Sequence, residues 1–279
     1  MHVFRNVDDV RAAEPQRPIW ATLGTFDGLH KGHRYLIAEL LQCARQWVPA
    51  AVSLVITFEV HPKVVLAHDP PTPILSPDHK LLLLQELGVD ATLMLTFDEE
   101  LASIPAEVFV QQWLGERLGV SGVLLGYDAR FGHRAKGDFA LLERMAPSVG
   151  FVAARGEEVH VAGAPVSSTR IRHALARCDL AAAQQLLGRP YSALGTVVHG
   201  QQRGRTIGFP TANLSLVTSL PVPRGVYGVR VRRLPSDVAP AQTVWGLANL
   251  GLRPTVDPGA TVPVLEVHLL DFQADLYGR

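Results

Sequence analysis

Cysteine is scarce: the 279 residues hold two, Cys43 and Cys178, far apart and both in helical patterns. That reads as two buried, reduced thiols. It excludes a disulfide framework and accords with a cytoplasmic setting. No run of 18 or more apolar residues occurs, so no membrane-spanning helix is expected. The first ten residues already carry Arg5, Asp8 and Asp9, unlike a signal peptide. An excess of one charge is missing as well. Lys plus Arg number 26 and Asp plus Glu number 26, which gives no support to a nucleic-acid or membrane-surface partner. Small-molecule substrates are the expected partners, with self-association into a homo-oligomer left open. There is no internal repeat or low-complexity tract. The 24 glycines and 20 prolines punctuate many short elements over a length that suits two domains.

What is present is organised around Gly24-Thr25-Phe26-Asp27-Gly28-Leu29-His30-Lys31-Gly32-His33. An apolar run over 19–23 leads in as a buried strand, and a helical pattern over about 34–47 leads out. A strand, a glycine-bearing turn and a helix start present free backbone N–H groups to an anion. If the helix has begun by His30, the two imidazoles share the face of its first turn. Gly32 lets another group approach the backbone. A lone histidine at a helix start is ordinarily a surface or capping residue. Metal-ligand spacing is missing, because no cysteine or third histidine stands nearby. The Gly-Lys-Ser/Thr ending of a Walker loop is missing too. Imidazoles beside the dipole-positive end of a helix suit the polyphosphate of a nucleotide.

The rest of the first domain alternates strands and helices, the pattern of a parallel sheet covered on both faces. Strands are expected over 51–58, 91–97, 120–126 and 149–153. A helix follows Ser76 as N-cap and Pro77 as first residue and stops at Gly88. Another starts at Ile104-Pro105-Ala106-Glu107 and runs to Leu118 with Ser103 as its cap, a third spans 138–145, and a last one 179–187. In open α/β sheets, ligand groups cluster at the carboxyl ends of strands. Phe58, with His61 in Phe58-Glu59-Val60-His61-Pro62, lies there, as does the loop Gly126-Tyr127-Asp128-Ala129-Arg130-Phe131-Gly132. Ser167, Ser168, Thr169 and Arg170, directly before a helical pattern, offer hydroxyls, free N–H groups and a cation as a second anion cradle. The same cluster also reads as a plain N-cap.

After Gly188-Arg189-Pro190 long helices cease, and strands over 191–198, 225–232, 243–250 and 264–272 indicate an antiparallel sheet or small barrel. The domains are therefore placed at 1–187 and 188–279. The second carries Arg203-Gly204-Arg205-Thr206-Ile207-Gly208-Phe209-Pro210-Thr211-Ala212-Asn213. Its glycines and arginines suit phosphates. Thr211 and Asn213 bear hard oxygen donors that can complete a Mg²⁺ shell shared with ATP.

These strings, in this order, resemble the prokaryotic bifunctional riboflavin kinase/FAD synthetase family along nearly the whole chain. The first signature and the Ser-Ser-Thr-Arg string are similar to the two halves of a nucleotidylyltransferase site. Gly-Arg-x-x-Gly-Phe-Pro-Thr-Ala-Asn is similar to the riboflavin kinase signature. The resemblance implies a Rossmann-like N-terminal domain that transfers AMP from ATP to FMN, giving FAD. It also implies a smaller β-barrel domain that phosphorylates riboflavin with ATP. In its terms His30, His33 and Arg170 serve adenylyl transfer, and Gly24, Phe26, Asp27, Gly28, Gly32, Ser167, Ser168 and Thr169 hold the nucleotide. Phe58, His61, Asp128 and Arg130 face flavin or nucleotide. In the second domain it implies that Gly204, Arg205, Gly208 and Thr211 bind ATP, with Thr211 and Asn213 at Mg²⁺. It sets Asn249 and Arg253 beside the flavin and makes Glu266 the general base. The sequence departs from the family pattern at Val60, Ala129 and Val267. It stops at Arg279, where relatives continue, so an incompletely closed barrel is expected. A second reading keeps the adenylyltransferase and makes the C-terminal domain a flavin-binding or regulatory module.

Overall fold

A computed structural model describes residues 1–14, 17–47, 51–67, 69–199, 210–234, 242–254, 261–272, 274 and 276–278. It divides into two compact units. The first comprises Met1–Ala174 with Leu180–Tyr191, the second Leu175–Asp179 with Ser192–Arg279.

The first unit opens with β1 (His2–Phe4), α1 (Val7–Ala13), β2 (Ile19–Leu23), α2 (Lys31–Trp47) and β3 (Val52–Phe58). It continues through α3 (Lys63–Leu66), α4 (Pro77–Glu86), β4 (Ala91–Leu95) and α5 (Glu99–Ser103). Next comes α6 (Ala106–Val108), which runs on as a π-helix over Phe109–Arg117, and then β5 (Gly122–Leu125), α7 (Phe139–Val149) and β6 (Val152–Arg155). A small hairpin of β7 (His160–Val161) and β8 (Ala164–Pro165) precedes α8 (Ser168–Ala176) and α9 (Leu180–Leu187).

Six strands form one parallel sheet in the order β1-β4-β3-β2-β5-β6. Every residue of β2, β4 and β5 is buried, as a sheet covered on both faces requires. From β2 the chain builds outward through β3 and β4, then returns to add β5 on the other side. The carboxyl end of β2 therefore lies at the point where strand order reverses, where open α/β sheets bind ligands. The expected cap of α4 is present, with Ser76 Oγ accepting the His79 N–H at 3.3 Å and Pro77 in the first turn. Asp138 caps α7 by accepting the Leu141 N–H at 3.0 Å.

Three expectations are corrected. Ser103 caps nothing: it ends α5, and its hydroxyl donates to the Glu100 carbonyl at 2.7 Å, while Pro105 stands before α6 without a side-chain cap. Cys178 is neither buried nor helical. It is exposed just past α8 in the left-handed region at φ 58°, while Cys43 is half-buried in α2. The strand expected over 191–198 is only β9 (Thr196–Val198).

The second unit contains β9, β10 (Ala212–Ser215), β11 (Gly225–Arg233), β12 (Gln242–Pro254) and β13 (Thr261–Leu269). They pair antiparallel in the order β11-β12-β13-β10-β9. Among the described residues this series is open, and no ladder joins its two ends into the expected barrel. Side chains alternate between the sheet faces. Ala248, Leu250, Leu265 and Val267 are buried on one face, with Leu214, Tyr227 and Val229 packed against them. The residues between them point to the other face.

Candidate active site

The signature turn has a costly backbone. Phe26 (φ 47°) and Leu29 (φ 41°) are left-handed without being glycine, and Gly28 (φ 85°) lies between them. Such residues cost on the order of 1–3 kcal/mol each, so the surroundings must hold them in place. Both side chains are buried in the core. Asp27 is the clamp. Its buried carboxylate accepts the N–H groups of Ile74 at 3.0 Å and Leu75 at 3.2 Å, and it ion-pairs with Arg172 on α8. Arg172 Nε donates to the Thr72 carbonyl at 2.8 Å, and the Ser168 hydroxyl donates to the Asp27 carbonyl at 2.8 Å. One side chain and its carbonyl thus tie the turn to the 72–75 segment and to α8.

His30 is the N-cap of α2. Its carbonyl accepts the Arg34 N–H at 2.9 Å and its ring Nδ1 accepts the His33 N–H at 3.3 Å. That fixes the tautomer, leaving the proton on Nε2. The two rings stack with centroids 3.6 Å apart and 15° between planes, and Phe26 meets His33 edge-on at 5.1 Å. The group that approaches Gly32 is the His30 ring itself, which a Cβ there would meet at 3.3 Å. Burial lowers the His30 pKa to about 4. Burial, then His30, then Lys80 hold His33 well below its ordinary value. Both imidazoles are therefore neutral hydrogen bonders at pH 7, and buried His33 Nδ1 has no hydrogen-bond partner among the described residues. Positive charge comes from elsewhere. Buried Lys80 lies on α4. Arg172 is opposed by Asp27. Arg189 donates to the Gly28 carbonyl at 2.9 Å, and burial lowers its pKa only to about 10.

The remaining candidates divide. Gly24 sits at the end of β2, its N–H donating to the Ile56 carbonyl at 3.1 Å. Ser167 caps α8 by accepting the Arg170 N–H at 3.3 Å, while Thr169 is exposed. Arg170 turns its guanidinium onto the carbonyls of Ala164 at 2.7 Å and Val161 at 3.1 Å, bracing the β7–β8 hairpin, so the arginine of that string that reaches the signature turn is Arg172. Phe58 ends β3 and meets Phe97 edge-on at 5.2 Å. Half-buried His61 accepts the Lys63 N–H at 3.1 Å. Burial lowers its pKa, opposed by Asp27 and reinforced by Arg172, so it shares the field of the site. Asp128 and Arg130 are exposed, and Arg130 pairs with Asp138 at 3.0 Å.

In the second unit, register does the gathering. Asn213 on β10 stands opposite Glu266 on β13, and Glu266 stands opposite Asn249 on β12. These three polar residues form one row across the sheet, on the face away from the apolar core. Asn213 is buried, Glu266 half-buried and Asn249 exposed. Thr211 is exposed two residues before Asn213, and Arg253 pairs through its backbone with Val262. Gly204, Arg205 and Gly208 lie outside the described residues.

Lys80 and Arg172 escaped sequence reasoning. Lys80 lies in a leucine-rich helix start outside every motif, and Arg172 is passed over for Arg170. Only the three-dimensional neighbours show Lys80 buried and Arg172 partly buried against Asp27. A helix N-terminus lined by neutral imidazoles, set at the reversal point of a parallel sheet and flanked by buried Lys80 and partly buried Arg172 and Arg189, makes an α/β site suited to nucleotide phosphates.

Comparison with known proteins narrows this. The family profile for FAD synthetase matches residues 12–170, and that for riboflavin kinase matches 187–279. The bifunctional riboflavin kinase/FMN adenylyltransferase of Escherichia coli (strain K12) is 40% identical over 281 residues, an alignment spanning 100% of this chain and 86% of that one. The Haemophilus influenzae protein of the same name is 37% identical over 260 residues, covering 92% and 81%. A solved structure from Streptococcus pneumoniae, named Macrolide-efflux Protein, matches with TM-score 0.79 and 31% identity over 99% of this chain and 86% of its own. Among the described residues here, no helix is long and apolar enough to cross a membrane. The chain belongs to the bifunctional riboflavin kinase/FMN adenylyltransferase family, a family of transferases.

Proposed function

We propose that the chain phosphorylates riboflavin to FMN in the region 188–279 and adenylylates FMN to FAD, releasing pyrophosphate, in the region 1–187. The observation that carries the second reaction is the neutral His30–His33 pair at the α2 N-terminus. The phosphate of FMN is already ionised, so attack on the α-phosphorus of ATP needs no strong base. It needs alignment and stabilisation of the charge that develops on the leaving pyrophosphate. Imidazole N–H groups, the free N–H groups of α2 and the neighbouring Arg172 charge suit that task. His30 and His33 are assigned to the phosphates. Phe58 and His61, at the end of β3, are assigned to the flavin side.

For the first reaction, Glu266 would accept the proton of the ribityl 5′-hydroxyl as its oxygen attacks the γ-phosphorus. The row Asn213–Glu266–Asn249 supports this, because it brings a carboxylate and two amides to one face. No group of three or more His, Cys, Asp or Glu side chains among the described residues could hold a metal. The hydroxyl of Thr211 and the amide oxygen of Asn213 are the hard donors that fit a Mg²⁺ ion arriving with ATP, and such an ion would offset charge on the phosphates. Incubation with ATP, Mg²⁺ and either riboflavin or FMN, followed by flavin chromatography, tests the assignment. FAD from both substrates is expected. FAD from FMN alone would leave the adenylyltransferase and remove the kinase.

A further inference from the structure

The most enclosed cation of the first unit is absent from both motifs. Lys80, in the first turn of α4, is 6% exposed. Its Nζ donates to the Phe58 carbonyl at 2.8 Å, the Thr25 carbonyl at 2.9 Å and Thr57 Oγ1 at 3.3 Å. An ammonium has three donors and no acceptor. All three are used, so none remains for a ligand. The acceptors are the last two residues of β3 and the signature residue just before left-handed Phe26. Thr57 Oγ1 itself donates to the Thr25 carbonyl at 3.1 Å, which closes the cluster. Packing alone would be served as well by an apolar side chain, since burying a charge is costly even when it is paired.

We propose that Lys80 is a positioning residue for adenylyl transfer, fixing the carboxyl ends of β2 and β3 against each other so that the signature turn and the His61 segment keep their places around the reacting phosphates. The proposal rests on adenylyl transfer being the reaction of this unit. Lys80 acts through the turn and the imidazole pair and does not touch the nucleotide. Three groups face its charge: Asp27 from the turn favours the ammonium, while His33 from α2 and His61 after β3 are lowered chiefly by burial, to which the Lys80 charge adds. Asp27 is shared with Arg172 of α8. Burial brings Lys80 down to about 8, so the ammonium is intact at neutral pH and is lost in mild alkali.

The test is kcat/KM for ATP in FMN adenylylation from pH 6.5 to 9.5, with riboflavin phosphorylation by the same preparation as the control. Wild type is expected to lose activity above about pH 8. Thr57→Val removes one acceptor and is expected to move that alkaline limb down by about half a unit to one unit. Lys80→Arg keeps a cation that does not titrate, so the limb leaves the range while kcat falls about threefold to tenfold. Lys80→Met is expected to lower kcat about tenfold to a hundredfold, with KM for ATP changed less than threefold. The kinase rate stays level throughout. A limb unmoved in both Thr57→Val and Lys80→Arg overturns the proposal, as does a Lys80→Met chain with wild-type kcat. Should Lys80→Met fail to fold, the other two variants decide. A wild-type chain that makes no FAD from FMN overturns the reading of the unit and the proposal with it.

Discussion

Acid should weaken the first unit through its own imidazoles. His30 is 6% exposed, and burial lowers its pKa from 6.5 to about 4. Between those values the unfolded chain binds a proton that the folded chain refuses, so stability is complete above pH 6.5 and falls as pH drops towards 4. At about 1.36 kcal/mol per unit of difference, the loss from His30 alone is about 2 kcal/mol at pH 5 and about 3 kcal/mol at pH 4. His33 is shifted in the same direction and adds to it. Against a typical domain stability of about 5–15 kcal/mol this is a large fraction. The discriminating variant is His30→Asn, which keeps an N-cap acceptor for the His33 N–H and has nothing to titrate. Urea unfolding at pH 6.5, 5 and 4, read by hydrogen exchange of β2 and β3 peptides, reports on this unit alone. Wild type should lose about 2 kcal/mol more than His30→Asn between pH 6.5 and pH 5. Parallel losses in the two proteins would refute the reasoning.

The other expectations are more local. Asp27→Asn strips the charged partner from the partly buried Arg172 guanidinium and should cost the first unit about 2–4 kcal/mol; a loss below about 1 kcal/mol in a melt would mean that Arg172 finds other support. Gly132→Ala puts a Cβ 2.5 Å from the Ala106 Cα at φ 70°, and should cost about 2–3 kcal/mol in the same melt. His33→Ala should depress FAD formation from FMN while sparing FMN formation from riboflavin, and equal loss of both in a folded variant would undo the division of labour. Glu266→Gln should do the reverse, lowering riboflavin phosphorylation by about two to four powers of ten, and an unchanged rate would exclude a general base at that position.

The first unit was legible where one signal dominated. Apolar runs named the buried strands β2, β3, β4 and β5, and Ser76-Pro77 marked the start of α4. Legibility failed where tertiary neighbours decide. The edge strand β1 is three residues long, with two of them exposed, so its sequence carries no apolar run. Ser103 had the right chemistry for a cap, but Asp98 starts the helix that Ser103 ends, and Leu101 takes the Asp98 carboxylate at 2.8 Å. The site was half visible. The motif histidines could be named, but their neutrality depends on burial. Lys80 is a buried charge and Arg172 a partly buried one, which no periodicity announces. In the second unit β10 was missed, because its four residues overlap the end of a glycine-rich string and form no apolar run.

The role proposed for Glu266 makes strand alignment across the row Asn213–Glu266–Asn249 a condition of chemistry. Shifting β13 by one residue against its neighbours exchanges Glu266 with Val267 at the same station and turns the carboxylate towards the apolar layer. An insertion or deletion of a single residue between β12 and β13, if absorbed by slippage of β13, would leave most backbone pairing intact while displacing the proposed proton acceptor. Folding yield and active-site yield would then part company. A preparation could look native by secondary structure and still count few working kinase sites, so titration of active sites is the proper measure of its quality.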